Sequence, residues 1–342
     1  VIVEESSMKQ CIQHLFEGKD LSLEQSRAAM MQIMSGQATD AQIAAFLTAL
    51  RMKGETVQEI TGCALAMRKV ATCIDAGGAD AIDTCGTGGD TSGTFNVSTA
   101  AGIVAAAAGV PVAKHGNRSV SSSSGSADVL QQLGVNIEAP KEVVEKCLRD
   151  VGIGFLFAPM LHKAMKYAIG PRRELGVRTV FNMLGPLTNP AGVRRQVMGV
   201  YGGDIVEKIA GVLRELGSKR AMVIHSQDGL DELSVCDVTN VAELKDGEIE
   251  VKKIAPEDVG LVRHSLAKLR VRGVDESAAI IMGVLNGEEG AGRDMVSINA
   301  GAAIYVGGKA DTLRDGVELA CEAIDTGRAR ATLEKLVEVS NM

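Results

Sequence analysis

Ser22 with Gln25, Thr39 with Gln42, and Thr56 with Glu59 each set a hydroxyl side chain three positions ahead of Gln or Glu in the opening stretch of the chain. At that spacing each partner satisfies the other's free backbone N–H, so a helix can begin without orphaned donors. Apolar stripes at helical period follow each start: Met30, Ile33 and Met34, then Ile43, Phe46, Leu47 and Leu50, then Ile60, Cys63, Met67 and Val70. Gly36 and Gly54 supply stops between them. The opening of the chain therefore predicts consecutive helices around a small core of their own, ending near Gly77-Gly78.

Beyond that point the pattern changes. Short apolar runs at 81–84, 110–113, 153–158, 197–201 and 221–225 alternate with helical patterns at 97–108, 127–133, 141–150 and 205–216. This alternation predicts a largely parallel sheet with helices on both faces. Asp246-Gly247 between alternating stretches in 241–254 predicts a hairpin, and the tail from about 276 to 339 reads as helical. The expected fold is α/β: a small all-helical domain over residues 1–75, plus a larger α/β domain with a mostly parallel central sheet flanked by helices.

Composition narrows the partners. A net charge of −7 opposes a nucleic-acid ligand, whose phosphates require a basic face. With no Trp, three Tyr and six Phe, the chain could hardly build stacking platforms for bases. Cys11, Cys63, Cys73, Cys85, Cys147, Cys236 and Cys321 contain no C-x-x-C pair, which fits reduced thiols of a cytoplasmic protein rather than a disulfide framework or zinc knuckle. No apolar run approaches the ~18 residues of a membrane span, so the expectation is a soluble chain with neither membrane nor nucleic-acid partners.

Four segments carry chemistry. Asp83-Thr-Cys-Gly86-Thr-Gly88-Gly89-Asp90 joins a strand to a helix opening at Asn96-Val97-Ser98-Thr99. Glycine lets backbone N–H groups approach a phosphate, and the helix N-terminus adds partial positive charge. The same glycines would also serve a plain tight turn, and the G-x-G-x-x-G order of a dinucleotide fold is absent. Next, Lys114 to Asp128 follows a short strand and concentrates donors: Lys114 and Arg118 can neutralise diphosphate charge, serine hydroxyls can bond it, and Asn117 can accept from an amine or donate to a hydroxyl. A solvated polar loop is the alternative. Third, the adjacent carboxylates Asp231-Glu232 beyond another strand could hold magnesium, or form an ordinary solvated turn. Last, the stretch from His162 to Pro190 includes Arg172 and Arg173; either guanidinium could grip a planar carboxylate, or pair with Glu174 on a basic helix face.

Taken in order and spacing, these segments resemble the anthranilate phosphoribosyltransferase family over nearly the whole chain. The resemblance implies transfer of the phosphoribosyl group of phosphoribosyl pyrophosphate (PRPP) to the amine of anthranilate, with pyrophosphate released, in tryptophan biosynthesis. It implies that PRPP is bound by Gly86, Gly89, Asp90, Thr94, Asn96, Val97, Ser98, Thr99, Lys114, His115, Gly116, Asn117, Arg118, Ser119, Val120, Ser121, Ser122 and Ser126. Anthranilate would meet Gly86, Asn117, His162, Arg172 and Gly185, with Arg172 preferred over Arg173 as the first in the matched motif. Ser98, Asp231 and Glu232 would hold Mg2+, two ions per site, and no residue is assigned as general base. The family pattern also implies that helices near 166–188 return to the small domain, leaving 76–165 and 189–342 as the large one, and that the protein is a homodimer joined through its helical domains. Thr91-Ser92, Lys163 and Ser226-Gln227 depart from the usual residues, and none of these departures removes a ligand. Two rivals share related scaffolds: a pyrimidine nucleoside phosphorylase, and a non-catalytic nucleic-acid-binding relative. The rest of the motif set and the shorter chain oppose the first, the retained Asp231-Glu232 and the negative charge the second.

Overall fold

The computed structural model describes residues 7–78, 80–90, 92–119 and 124–342. Four helices come first: α1 (Met8–Phe16), α2 (Leu23–Met34), α3 (Asp40–Lys53) and α4 (Val57–Val70). All three expected capping boxes are formed, and Ser7 with Gln10 makes a fourth at the start of α1. α2 lies along α4. A Cβ on Gly62 of α4 would stand 2.4 Å from the Leu23 carbonyl oxygen, so only glycine permits this approach. Beneath them Glu59 is fully buried. It accepts from the N–H groups of Leu21 (2.9 Å) and Thr56 (2.8 Å) and from Lys53 Nζ (3.0 Å).

The chain continues through β1 (Ile82–Asp83), α5 (Val97–Ala107), β2 (Val112–Gly116), α6 (Ser126–Gln132), α7 (Lys141–Asp150), β3 (Ile153–Phe157) and α8 (Ala158–Leu161). α9 (Lys166–Leu175) and α10 (Phe181–Leu187) pack back on the first helices, α9 against α3 and α2, α10 against α4. Then follow β4 (Arg195–Gly199), α11 (Val206–Glu215), β5 (Arg220–Ser226), β6 (Thr239–Lys245), β7 (Glu248–Ile254) and the four tail helices α12 (Val274–Leu285), α13 (Ala291–Val306), α14 (Leu313–Asp325) and α15 (Arg328–Ser340). The sheet runs β3-β2-β1-β4-β5-β6-β7; its first five strands are parallel, and the expected hairpin adds the antiparallel β6 and β7.

Alternate residues of β4 and β5 serve two cores. Val197, Met222 and Ile224 face the one built on α5 and α13, while Met198, Ala221 and Val223 face the one shared with α11 and the first helices. Burial on both faces explains why these strands read as continuous apolar runs. Among the described residues no helix is long and apolar enough to cross a membrane.

Among the strand bounds that differ from the sequence expectation, three have a local cause. β1 keeps only Ile82–Asp83, because its chain turns away at once into the glycine loop. β4 begins two residues earlier than expected, at Arg195, whose Nε reaches Asp80 at 2.8 Å. β2 starts later and runs on through Lys114, His115 and Gly116, held by parallel pairing to Phe155, Leu156 and Phe157.

Removing the Glu59 carboxylate strands a half-neutralised Lys53, the buried Leu21 N–H and the partly buried Thr56 N–H. Glu59→Ala should therefore destabilise the protein by about 3 kcal/mol, read as a lower urea midpoint, and Glu59→Gln should lose less because one acceptor remains.

Candidate active site

The parallel strands end on one edge of the sheet, where ligands of open α/β sheets bind. At the end of β1 the Asp83 carboxylate is buried and shared out. Oδ1 accepts from the N–H groups of His115 (3.1 Å) and Cys85 (3.0 Å), and Oδ2 from Asn189 Nδ2 (2.7 Å). Burial pushes its pKa up to about 6, against the pull of the neighbouring Lys114 ammonium. Ligand atoms of Asp83, Cys85 and His115 lie within 4.8 Å of one another. Because the aspartate oxygens are already engaged, this trio is a structural knot tying β1 to β2.

The glycine loop then folds over the end of β4. Thr87 N–H donates to the Gly199 carbonyl (2.8 Å), Tyr201 N–H to Thr87 Oγ1 (3.0 Å), and Gly88 N–H to Asp231 Oδ2 (3.0 Å). Gly88 and Gly89 have φ of 64° and 80°, a region that L side chains avoid. Gly86 is confined from outside: a Cβ there would lie 3.0 Å from the Gly199 carbonyl oxygen and 3.1 Å from Asp231 Oδ2. Further along, Asp90 accepts from Ser92 Oγ, and Thr94 bridges to Arg270.

α5 opens beside this loop. Ser98 N–H donates to Glu232 Oε1 (3.1 Å), and Lys114 Nζ, itself buried, donates to Ser98 Oγ, Thr84 Oγ1 and the Thr84 carbonyl, each at 3.3 Å. Asp231 and Glu232 both have pKa values well above the ordinary carboxylate range, first because they are buried, then because each feels a neighbouring carboxylate, Asp90 for Asp231 and Asp231 for Glu232. Lys114 opposes this for Glu232 but does not reverse it. Half-buried negative charge in surplus, offered by oxygen atoms beside loop amides, is the donor set that a hard divalent cation prefers. The three residues expected as metal ligands are thus brought together.

The structure corrects the second motif in part. Lys114, His115 and Gly116 lie in β2 rather than in the loop after it, since their backbone is taken by the β3 pairing. Gly116 is needed there, because a Cβ would meet Ser126 Oγ at 2.2 Å. Asn117, Arg118 and Ser119 form the described start of the serine loop, while Val120, Ser121 and Ser122, like Thr91 of the glycine loop, lie outside the described residues. Asp128 organises the base: its carboxylate accepts from Ser119 N–H and Gly125 N–H, both 3.0 Å, and from Arg118 at 3.0 Å. Arg118 is thereby turned onto Asp128 and lies 5.8 Å from the Phe157 ring centre. Asn96 does not cap α5; its side chain donates to the Ser124 carbonyl (3.1 Å) and accepts from Ser124 Oγ (2.6 Å) and Ser277 Oγ (2.8 Å). Val97 and Thr99 face inward, and Thr99 Oγ1 is buried without a hydrogen-bond partner.

The opposite wall comes from the returning helices. His115 Nδ1 lies 3.2 Å from the Gly185 carbonyl oxygen, which as an acceptor requires the proton on Nδ1. Its ring centre is 5.1 Å from that of His162, and both Nε2 atoms are buried without partners. Burial, and for His115 the neighbouring His162 and Lys114 charges, lower the pKa values to about 3 and about 4, so both rings are neutral at physiological pH. Arg172 is half-buried 4.9 Å over the Phe181 ring, with burial lowering its pKa and no carboxylate paired to it among the described residues. Arg173 is exposed.

Sequence reasoning passed over Gly199 and Ser277, and gave Asn189 no role beyond its place in the Gly185–Pro190 stretch. Gly199 is the strictest of these, since a Cβ would fall 1.6 Å from the Asp231 carbonyl oxygen; nothing in one sequence marks it, because the clash is with a residue thirty-two positions away. Two surface hollows of about 520 and 430 Å3, lined by residues such as Asn286 and Arg330 and by Arg195 and Lys245, lie apart from this cluster and share none of its residues.

The chain as a whole is similar to known proteins. Residues 78–330 match the glycosyl transferase family, a/b domain, and residues 9–71 match its helical bundle domain. The chain is 54% identical to the anthranilate phosphoribosyltransferase of Thioalkalivibrio sulfidiphilus, over 96% of this chain and 98% of that one. It is 53% identical to the enzyme of the same name from Clostridium kluyveri, over 98% and 100%. Among solved structures, anthranilate phosphoribosyltransferase from Thermus thermophilus superposes with a TM-score of 0.92 at 42% identity, covering 97% of this chain and 99% of that one. The Saccharomyces cerevisiae enzyme in complex with PRPP and Mg superposes with a TM-score of 0.88 at 28% identity, covering 98% of each chain.

The two histidines predict a pH dependence. Their pKa values are depressed in the folded chain relative to the unfolded value near 6.5, so their contribution to stability is complete above pH 6.5 and is lost as pH falls towards 4 and then 3. His162→Gln should flatten the decline of the thermal midpoint between pH 6.5 and 4 relative to the unmodified chain. Parallel profiles would show that His162 takes up its proton freely.

Proposed function

This chain belongs to the anthranilate phosphoribosyltransferase family, and from that premise we propose how its residues carry out the reaction. It transfers the phosphoribosyl group of PRPP to the amine of anthranilate and releases pyrophosphate, a step of tryptophan biosynthesis. The observation that carries the assignment of roles is the half-buried Asp231-Glu232 pair, which accepts from the Ser98 and Gly88 amides at the strand ends.

Pyrophosphate oxygens are received by the loop from Gly86 to Asp90, the start of α5 and the loop after β2, where backbone N–H groups and hydroxyls act as donors. Lys114 lies behind them as a fixed positive charge. Ser98, Asp231 and Glu232 hold Mg2+, two ions per site. When bound, Mg2+ neutralises charge that develops on the departing pyrophosphate. Loop donors held in place before reaction act on the same charge without reorganising, which lets the C1–O bond lengthen toward an oxocarbenium-like state.

Anthranilate enters from the helical wall. Arg172, stacked and without a carboxylate partner, receives its carboxylate with two parallel hydrogen bonds, and Asn117 meets the amine. His162 and Gly185 line the approach. The amine attacks C1 with its own lone pair, so alignment supplies the acceleration and no general base is required.

The helical domain in this reading is residues 1–75 with 166–188, and the large domain is the rest. A homodimer through the helical domain is supported by Phe16, Met52 and Ile169, which are 65%, 83% and 47% exposed on α1, α3 and α9. Exposed apolar side chains gathered on one unit favour a self-complementary contact. We place the enzyme in the cytoplasm, consistent with its seven free thiols.

Two substitutions test the roles. Glu232→Gln should cut magnesium-dependent turnover roughly 100-fold, followed by anthranilate fluorescence across a magnesium titration; an unaltered rate would remove Glu232 from the metal site. Arg172→Ala should raise the KM for anthranilate roughly tenfold or more, with much less effect on PRPP, and equal effects on both substrates would count against its role.

A further inference from the structure

Arg178 lies between α9 and α10, six residues after Arg172, and has no part in the roles assigned above. Its guanidinium donates to the Gly89 carbonyl and sits 4.5 Å over the Tyr201 ring. Tyr201 follows β4, and its own N–H donates to Thr87 Oγ1. One side chain of the returning helical segment thus spans from the last turn of the glycine loop to the residue that anchors that loop's first turn.

The planar trans peptide gives this contact a consequence. Between Gly89 and Asp90 the C=O and N–H point in opposite directions, so a cation that holds the Gly89 oxygen also fixes the Asp90 N–H on the face away from itself. With φ of 64° and 80°, Gly88 and Gly89 have no side chains to fix that peptide unaided. On the inner side Thr87 and Gly88 are tied to Gly199 and Asp231, and the outer side is held by Arg178.

We propose that Arg178 is a positioning residue that couples the helical domain to the glycine loop: its grip on Gly89, steadied by the Tyr201 ring, sets the loop amides for a diphosphate when the segment bearing Arg172 is in place. The inference rests on the reading that this loop receives PRPP. Because Arg178 shares a segment with Arg172, the position of the anthranilate wall and the order of the PRPP loop become linked.

The test is steady-state kinetics with both substrates varied, on the full chain with magnesium. Arg178→Ala should raise the KM for PRPP roughly 5-fold or more and lower kcat, the scale of one lost hydrogen bond to a charged donor. Anthranilate KM should move less, and Arg178→Lys, which keeps a donor, should recover part of the loss. Tyr201→Leu should reproduce a fraction of it, and the double variant should be no worse than Arg178→Ala, because Tyr201 acts through Arg178. Additive losses, or a lower thermal midpoint with unchanged PRPP KM, would overturn the proposal in favour of a structural role. Should Arg178→Ala fail to fold, Arg178→Lys and Tyr201→Leu give the same reading. Asp90→Ala separates the two layers: if it raises the PRPP KM while the Arg178 variants do not, the coupling alone is wrong, whereas unchanged KM in all of them removes the loop's role and the inference with it.

Discussion

The site depends on one close approach, that of the Gly199 backbone to Asp231. With hydrogen as its side chain, Gly199 lets the acidic loop rest directly on the end of β4, where any Cβ would collide with the Asp231 carbonyl. The Gly199 carbonyl then accepts Thr87 N–H, and Asp231 accepts Gly88 N–H, so the glycine loop is laid over the carboxylates. Everything that makes the site electrostatically unusual follows from this stacking. Two carboxylates are drawn partly out of water, and Lys114 is the buried cation that acts on Glu232. The remaining negative charge is stable only as a protonated pair or with a bound cation.

A second constraint sets the opposite wall. Asn189, just beyond α10, donates through one Nδ2 to both Asp83 Oδ2 and the Ala113 carbonyl, fastening the returning segment to β1 and β2. His115, one strand residue beyond Lys114, therefore points its ring at Gly185 and His162. Adjacent residues of β2 serve opposite walls, as strand geometry requires: Lys114 faces the acidic loop and His115 the helical unit.

Much of this was legible in the chain. The capping boxes, the strand-helix alternation and the Asp246-Gly247 hairpin are local signals, and each corresponds to an element of the structure. The expectation that Ser98, Asp231 and Glu232 act together came from the family resemblance, since an Asp-Glu pair alone reads as an ordinary solvated turn; the structure sets the Ser98 amide against Glu232. What was hidden is non-local. Gly199, Asn189 and Ser277 act through partners thirty-two, one hundred and six and one hundred and eighty-one positions away, and their own neighbours in sequence carry no mark of it. The placement of Lys114 in a loop failed for a related reason: a charged residue ordinarily ends a buried strand, yet here the hydroxyls of Thr84 and Ser98 satisfy it inside.

The two walls differ in kind, and this difference suits an amine nucleophile. On one side lie carboxylates, a fixed ammonium and backbone donors, an environment for phosphates and a divalent cation. On the other lie two imidazoles whose pKa values of about 3 and about 4 keep them uncharged, with an arginine set against a phenylalanine ring. A charged histidine there would repel an oxocarbenium-like ribose. Neutral rings do not, and the unpartnered Nε2 of His115, whose proton sits on Nδ1 facing Gly185, is an acceptor. The same burial that makes these histidines unstable toward acid thus keeps their wall free of imidazolium charge, so that Arg172 is the cation this wall offers.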